Sequence, residues 1–212
     1  KHKQNIKHKI YGVLQYIMAF PSVYEMTNPL TTVRKQHFWE YFSGATLNSR
    51  WTQQGSGTPS MVDEADEGFQ FISTGGDAYM AFNNIRPFSP TASVFIVEAK
   101  RTASNGLRTG LRGNNGTSNT QVAYVNEWSS NSNLVLRTGD ASSDSDATST
   151  SLVPNTNWNL YKIECTSSKI NLSVNGVLDI EKTSNRPTIG LQPFVGGYNS
   201  TSRFKYCEVY NT

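Results

Sequence analysis

The chain has 212 residues, enough for one large all-β domain with a full core, or one such domain plus an arm. Charged residues make up only 17%, against roughly 25% in typical soluble domains, and the long runs of Ala, Leu, Glu and Lys that a helical protein needs are missing. The net charge of +3 hides an asymmetry: residues 1–35 carry six Lys/Arg against one Glu, or +5, leaving −2 for the remainder, so the body is not a basic nucleic-acid binder.

KHKQNIKHK followed by IYGVLQYIMAF has the basic and apolar halves of a secretory signal. Gln15, Tyr11 and Tyr16 interrupt the apolar run, however, and no small-x-small site follows. The run of about eleven residues is too short to span a bilayer, so no transmembrane segment is expected. We read residues 1–37 as a basic arm with a short apolar helix around residues 4–18 and an extended linker marked by Pro21 and Pro29. Ile10, Val13, Leu14 and Ile17 are its expected contacts with another subunit of the same or a neighbouring assembly protein. The boundary to the body falls near residue 37, giving an arm at 1–37 and a domain at 38–212.

From Phe38 the pattern is that of strands. FWEYF, GFQFIST, DAYMAFN, SVFIVEAK, GLRTGLRG, TQVAYVNEW and NLVLRTG alternate apolar and polar residues, separated by turn clusters such as TGGD, NNGTSN and SSNSN. In GLRTGLRG, alternation sets Arg108 and Arg112 opposite Leu107, Thr109 and Leu111; in TQVAYVNEW it sets Val122, Tyr124, Asn126 and Trp128 opposite Ala123, Val125 and Glu127. GDASSDSDATSTS (139–151) reads as a long exposed polar loop. Its Asp140, Asp144 and Asp146 could supply oxygens to calcium, although the Gly and distal Glu of an EF-hand are absent; no other cofactor is expected.

NWNLYKIECTS, SSKINLSVNGVLDIEKT, PFVGGYNS and RFKYCEVYN complete about a dozen strands. The Asn175-Gly176 pair marks a hairpin. A two-residue loop would set Leu172 against Asp179 and Ile170 against Glu181. A three-residue loop of Val174, Asn175 and Gly176, with Gly176 at positive φ, sets Leu172 against Leu178 and Ile170 against Ile180, and is the expectation. Strands at this spacing without intervening helices imply two stacked antiparallel sheets. Cys165 and Cys207 are either one disulfide of an exported protein or two buried thiols. All three histidines lie within the first 37 residues, which removes every His-dependent triad from the body. Trp51, Trp158 and Tyr161 are expected in the core.

Two segments carry a family resemblance. WEYFSGATLNSRWT (39–52) resembles the opening of concanavalin A-like lectin/glucanase jelly rolls, where an aromatic-Phe-Ser-Gly/Asp turn leads through a Leu to an Arg/Lys-Trp pair. WNLYKIECTSSKINLSVNGVLDIEKT (158–183) is similar to that superfamily's closing motif of Trp, Tyr-Arg/Lys-Ile-Glu, an Ile-x-Leu/Phe-x-Val strand, an Asn/Asp-Gly turn and Val-Leu. The resemblance covers roughly residues 38–212 and implies an all-β, two-sheet antiparallel jelly roll. It leaves function open among glycosidases, lyases, lectins, laminin G-like modules and virion surface proteins.

Glucanases on this fold carry Glu-x-Asp-x-x-Glu on one strand. SVFIVEAK offers only Glu98, with Lys100 at the next same-face position, so paired carboxylates are missing there and the chain is expected not to be an enzyme. Sugar sites on such sandwiches combine aromatic faces with Asn, Asp and Arg. Tyr124, Asn126 and Trp128, with Arg108, Arg112 and Arg137, form the candidate glycan patch, and its arginines favour acidic glycans. The expectation is a surface-displayed jelly roll, a structural or decoration subunit of a virion or cell-surface layer with glycan binding, located outside the cell or on a particle surface. The competing reading is a secreted carbohydrate-binding module.

Overall fold

The computed structural model describes residues 36–42, 49–55, 58–64, 68–74, 76–82, 87–102, 106–113, 121–127, 133–153 and 155–212. They form fifteen strands. In chain order these are β1 (His37–Tyr41), β2 (Trp51–Gly55), β3 (Thr58–Glu64), β4 (Gly68–Thr74), β5 (Asp77–Phe82), β6 (Ala92–Arg101), β7 (Gly106–Gly113) and β8 (Val122–Glu127). There follow β9 (Val135–Gly139), β10 (Asp144–Thr148), β11 (Asn159–Thr166), β12 (Ile170–Val174), β13 (Val177–Lys182), β14 (Leu191–Tyr198) and β15 (Thr201–Asn211). No helix occurs among the described residues, and none is long and apolar enough to cross a membrane.

One sheet runs β13-β12-β11-β6-β15-β4-β3, with β1 also paired to β15; the other runs β10-β9-β8-β7-β14-β5-β2. All pairings are antiparallel. The alternation that marks the strands is what joins the layers. Phe95 and Val97 of β6, Ile163 of β11, Leu172 of β12 and Phe204 of β15 meet Leu107 and Leu111 of β7, Leu136 of β9 and Val195 of β14 in one closed core. Each such side chain contributes about 1.5–3 kcal/mol through burial. Trp51 and Tyr161 belong to this core, as expected. Trp158 does not: it is half-buried, with the Lys100 and Lys205 ammonium groups 4.9 and 4.2 Å from its ring centre. Cys165 and Cys207 are free thiols buried in the eight-stranded sheet.

The hairpin differs from its expected form. Asn175 and Gly176 both have positive φ, 51° and 84°, the signature of a two-residue type I′ turn, and Val174 pairs directly with Val177. The misplaced acid is absorbed one step further on. A bulge between Leu172 and Ser173 skips Asp179, so that Leu172 faces Ile180 instead of the expected Leu178, and Ile170 faces Lys182 instead of Ile180. Val177 and Leu178, ahead of the bulge, stay exposed.

The polar stretch 139–151 is likewise more than a loop, since it contains β10, the edge strand beyond β9. Few apolar contacts hold it. Instead Asp146 lies opposite Arg137 in register, and Lys182 of β13 donates from Nζ to the Ser145 carbonyl at 2.5 Å and to its Oγ at 2.6 Å. Burial pulls the Lys182 ammonium below its ordinary pKa. The bond ties the last strand of one sheet to the last strand of the other.

Candidate glycan-binding face

The seven-stranded sheet has an outer face, away from the core, and the alternation of β7 and β8 decides what stands on it. Leu107, Leu111, Ala123 and Val125 enter the core. Arg108, Gly110, Arg112, Val122, Tyr124 and Asn126 therefore point the other way. Tyr124 is absent from the core between the sheets and joins a second cluster with Ala81, Val122, Phe194 and Tyr79. Besides Val122 of β8, the partners come from β14 and β5, where Phe194 and Tyr79 alternate with the core residues Val195, Ala78 and Met80.

Cross-strand register makes the arrangement compact. Gly110 lies opposite Phe194 on one side and Tyr124 on the other, and the two rings meet edge to face at 5.6 Å. Tyr79 meets Phe194 at 5.4 Å in the same manner. Two guanidinium groups are laid over rings: Arg112 is 4.5 Å from the centre of Tyr79, and Arg108 is 5.3 Å from that of Tyr198. Stacking of this kind holds a cation in place without neutralising it. Arg108 Nε also donates to Asn126 Oδ1 at 3.3 Å. Arg112 is only 3% exposed and its Nε has no hydrogen-bond partner. The centre of the face is screened, with Tyr124 at 7% and Phe194 at 4% exposure, whereas Tyr79, Arg108 and Tyr198 are half-buried and reach solvent.

Arg137 stands beside Tyr124 on the same face but is engaged. Its Nε and Nη2 donate to Asp146 at 2.6 and 3.0 Å, and Asp144 lies 3.6 Å from Nη1. The bond to Asp146 raises the guanidinium's already high pKa. Asp140 turns aside, accepting from Ser142 N–H, Ser142 Oγ and Ser143 N–H at 2.7–3.0 Å, which holds its carboxyl below the ordinary carboxylate range. The three aspartates thus serve an ion pair and a turn. Among the described residues, no group of three or more His, Cys, Asp or Glu is arranged around a metal position.

Of the expected patch, then, Tyr124, Asn126, Arg108 and Arg112 come together, Arg137 is adjacent, and Trp128 lies outside the described residues. Outside them too are the arm residues Ile10, Val13, Leu14 and Ile17 and the expected helix. Tyr79, Phe194 and Tyr198 stand on this face without being part of the expected patch. The signal was present: in DAYMAFN and PFVGGYNS the aromatic residues Tyr79, Phe194 and Tyr198 occupy the phase of the alternation that polar residues take elsewhere.

No family model and no curated protein matches the chain. Solved structures do. The carbohydrate-binding module CBM66 from Bacillus subtilis is similar with a TM-score of 0.56 at 15% identity, covering 74% of this chain and 92% of its own. The Crh5 transglycosylase in complex with NAG gives 0.58 at 13% identity, covering 83% and 84%. The Bacillus licheniformis beta-glucanase gives 0.52 at 14%, covering 83% and 98%.

These neighbours correct one expectation. They are mostly glycoside hydrolases and transglycosylases, so the inference that this chain is not an enzyme does not stand. The physical reason is the choice of strand. SVFIVEAK is β6, which lies in the eight-stranded sheet, so its lack of paired acids says nothing about chemistry on the aromatic face of the other sheet. The chain has the concanavalin A-like jelly-roll fold, a two-layer antiparallel sandwich common to proteins that hold carbohydrate and proteins that cleave it.

Proposed function

We propose that the outer face of the seven-stranded sheet binds a polysaccharide carrying acidic groups. The observation behind this reading is the pair of guanidinium groups resting on tyrosine rings, Arg112 on Tyr79 and Arg108 on Tyr198. A ring face packs against the C–H surface of a sugar, and the donor fork of a guanidinium matches a carboxylate or sulfate. Asp144 and Asp146 are engaged by Arg137, and Arg108 and Arg112 add two further cations to the face. Isothermal titration against a polyuronate and a neutral β-glucan tests the reading. The polyuronate binds more tightly, and the Arg108→Ala/Arg112→Met variant loses that preference; equal affinity for both polymers rejects it. Reducing-end release measured on the same mixtures decides whether the bound chain is also cut.

A second reading joins this one through the charge asymmetry of the sequence. The +5 borne by residues 1–35 against −2 elsewhere suits an arm that fastens a surface-displayed domain to an assembly outside the cell or on a particle, with Ile10, Val13, Leu14 and Ile17 buried against another subunit. Sedimentation of the full chain tests it: an oligomer that Leu14→Asp/Ile17→Asp converts to monomer supports the reading, and a monomer at all concentrations rejects it.

A further inference from the structure

A cavity of about 410 Å³ opens between the end of β8, the β12–β13 turn, residues 151–153 and residues 155–159. It lies apart from the aromatic face, because Glu127, which lines it, alternates with Asn126 and points inward. Its volume falls within the range of small-ligand sites.

The floor is polar and held in place. Glu127, 1% exposed, accepts Asn155 N–H at 2.8 Å and the Tyr161 hydroxyl at 3.1 Å. Asn159 Nδ2 donates to Asn155 Oδ1 at 3.2 Å, and Asn175 Nδ2 to Asn159 Oδ1 at 3.0 Å. A chain of amides is thereby fixed by its own bonds before any ligand arrives. Asp179, the residue skipped by the hairpin bulge, takes hydroxyl donors from Ser149 and Ser151 on Oδ1 at 2.7 and 3.2 Å, while its Oδ2 is shut off from solvent with no donor at all. A buried acceptor left without a donor is costly.

The rim is apolar. Val153, Val177 and Leu178, at 62%, 68% and 56% exposure, are three of the five large hydrophobic side chains exposed among the described residues, and all three line this cavity. No Lys, Arg or His does. Two carboxylates without a lining cation repel anions, and an apolar rim over a floor of acceptors suits a ring with C–H faces and hydroxyl or amino donors.

We infer that this cavity binds a single sugar residue that is neutral or bears an amino group, and rejects one that bears an acid. The site is independent of the aromatic face and opposite to it in charge preference. Nitrogen-15 chemical-shift titrations with glucosamine, glucose and glucuronate as probes test it. Glucosamine and glucose produce saturable shifts at the Asn155, Asn175 and Asp179 amides, glucosamine at the lower concentration, and glucuronate produces none. Asp179→Asn weakens glucosamine about tenfold, and Leu178→Arg, at an exposed position that does not endanger the fold, abolishes the shifts by placing a side chain across the mouth. Absence of saturable shifts with both glucosamine and glucose, glucuronate as the tightest ligand, or unchanged binding in Leu178→Arg overturns the inference. The result stands whether or not polyuronate binds at Arg108 and Arg112.

Discussion

The guanidinium of Arg112, on β7, lies 4.5 Å from the ring centre of Tyr79, on β5, with β14 running between them. Its Nε is buried and unpartnered. Removing a buried donor that has no acceptor costs the fold little, whereas removing the charge takes away the group proposed to meet an acidic sugar. Arg112→Met is therefore expected to leave the melting temperature unchanged or slightly higher and to weaken polyuronate about tenfold, read by calorimetry on the same sample. A variant that unfolds while the residual folded fraction binds normally would make Arg112 a packing residue.

Gly110 and Gly176 separate two ways in which a glycine can be required. A Cβ at Gly110 would stand 2.4 Å from the Ala123 carbonyl oxygen and 2.6 Å from Tyr124 Cα, both backbone atoms of β8. At Gly176 it would meet nothing within 4 Å, although φ is +84°. Gly110→Ala forces two strands apart and is expected to cost about 1–3 kcal/mol or more; Gly176→Ala adds only turn strain, about 1 kcal/mol. Urea denaturation monitored by tryptophan fluorescence ranks them, and the reverse order would contradict the close approach of β7 to β8.

Burial pushes the Glu127 carboxyl above its ordinary pKa near 4.5, against the opposing pull of the Asn155 and Tyr161 hydrogen bonds and of Arg101. Glu40, beside Trp51, is raised for the same first cause. A carboxyl whose folded pKa is raised binds its proton more readily in the native state, so its contribution is complete below the unfolded value and is lost as pH rises through the folded one. Melting temperatures from pH 4 to 8 should thus fall with rising pH through the window above 4.5 by a component that Glu127→Gln reduces. An identical slope in the variant would show that Glu127 titrates as in the unfolded chain.

The thiols are expected to be inert. Burial lifts Cys165 to about 12 and carries Cys207 well above its ordinary value. At pH 8, roughly one Cys165 in ten thousand is then a thiolate, the reactive form. A disulfide-exchange chromophore should label neither residue in the native protein within hours and both within minutes in guanidinium. Rapid labelling of the native state would place a thiol at the surface.

How far the sequence could be read depended on whether hydrophobicity was the force at work. GLRTGLRG and TQVAYVNEW announce both their strands and the side each residue takes, because Leu107, Leu111, Ala123 and Val125 must be buried. β10 escaped notice because a strand made of Asp, Ser, Ala and Thr is held by Arg137 and Lys182 from neighbouring strands, which local pattern does not reveal. Likewise β2 and β3, WTQQG and TPSMVDE, lack a sustained apolar phase. The hairpin itself was legible from Asn175-Gly176, but its turn length and register were not, since a bulge at Leu172/Ser173 buries Ile180 against Leu172 and leaves Leu178 exposed, where a longer loop would have buried both. Half of the aromatic face was legible for a similar reason: Arg108 and Tyr124 share a local segment with their neighbours, while Tyr79, Phe194 and Tyr198 reach the face only through β5 and β14, far away in the chain.

Lys182 does more than support β10. The rim strand of a sandwich offers unpaired amides and carbonyls to any passing extended chain, and proteins concentrated at a surface meet copies of themselves often. Here the two rim strands on one flank, β10 and β13, are laced to each other through Ser145, with Asn185 reaching Ser143 close by at 3.0 Å, and the acids of that flank are held by cations, Asp144 and Asp146 by Arg137 and Glu181 by Lys169. The Ser145 carbonyl, already engaged by the ammonium group, is one acceptor fewer on which a passing strand could dock at that seam.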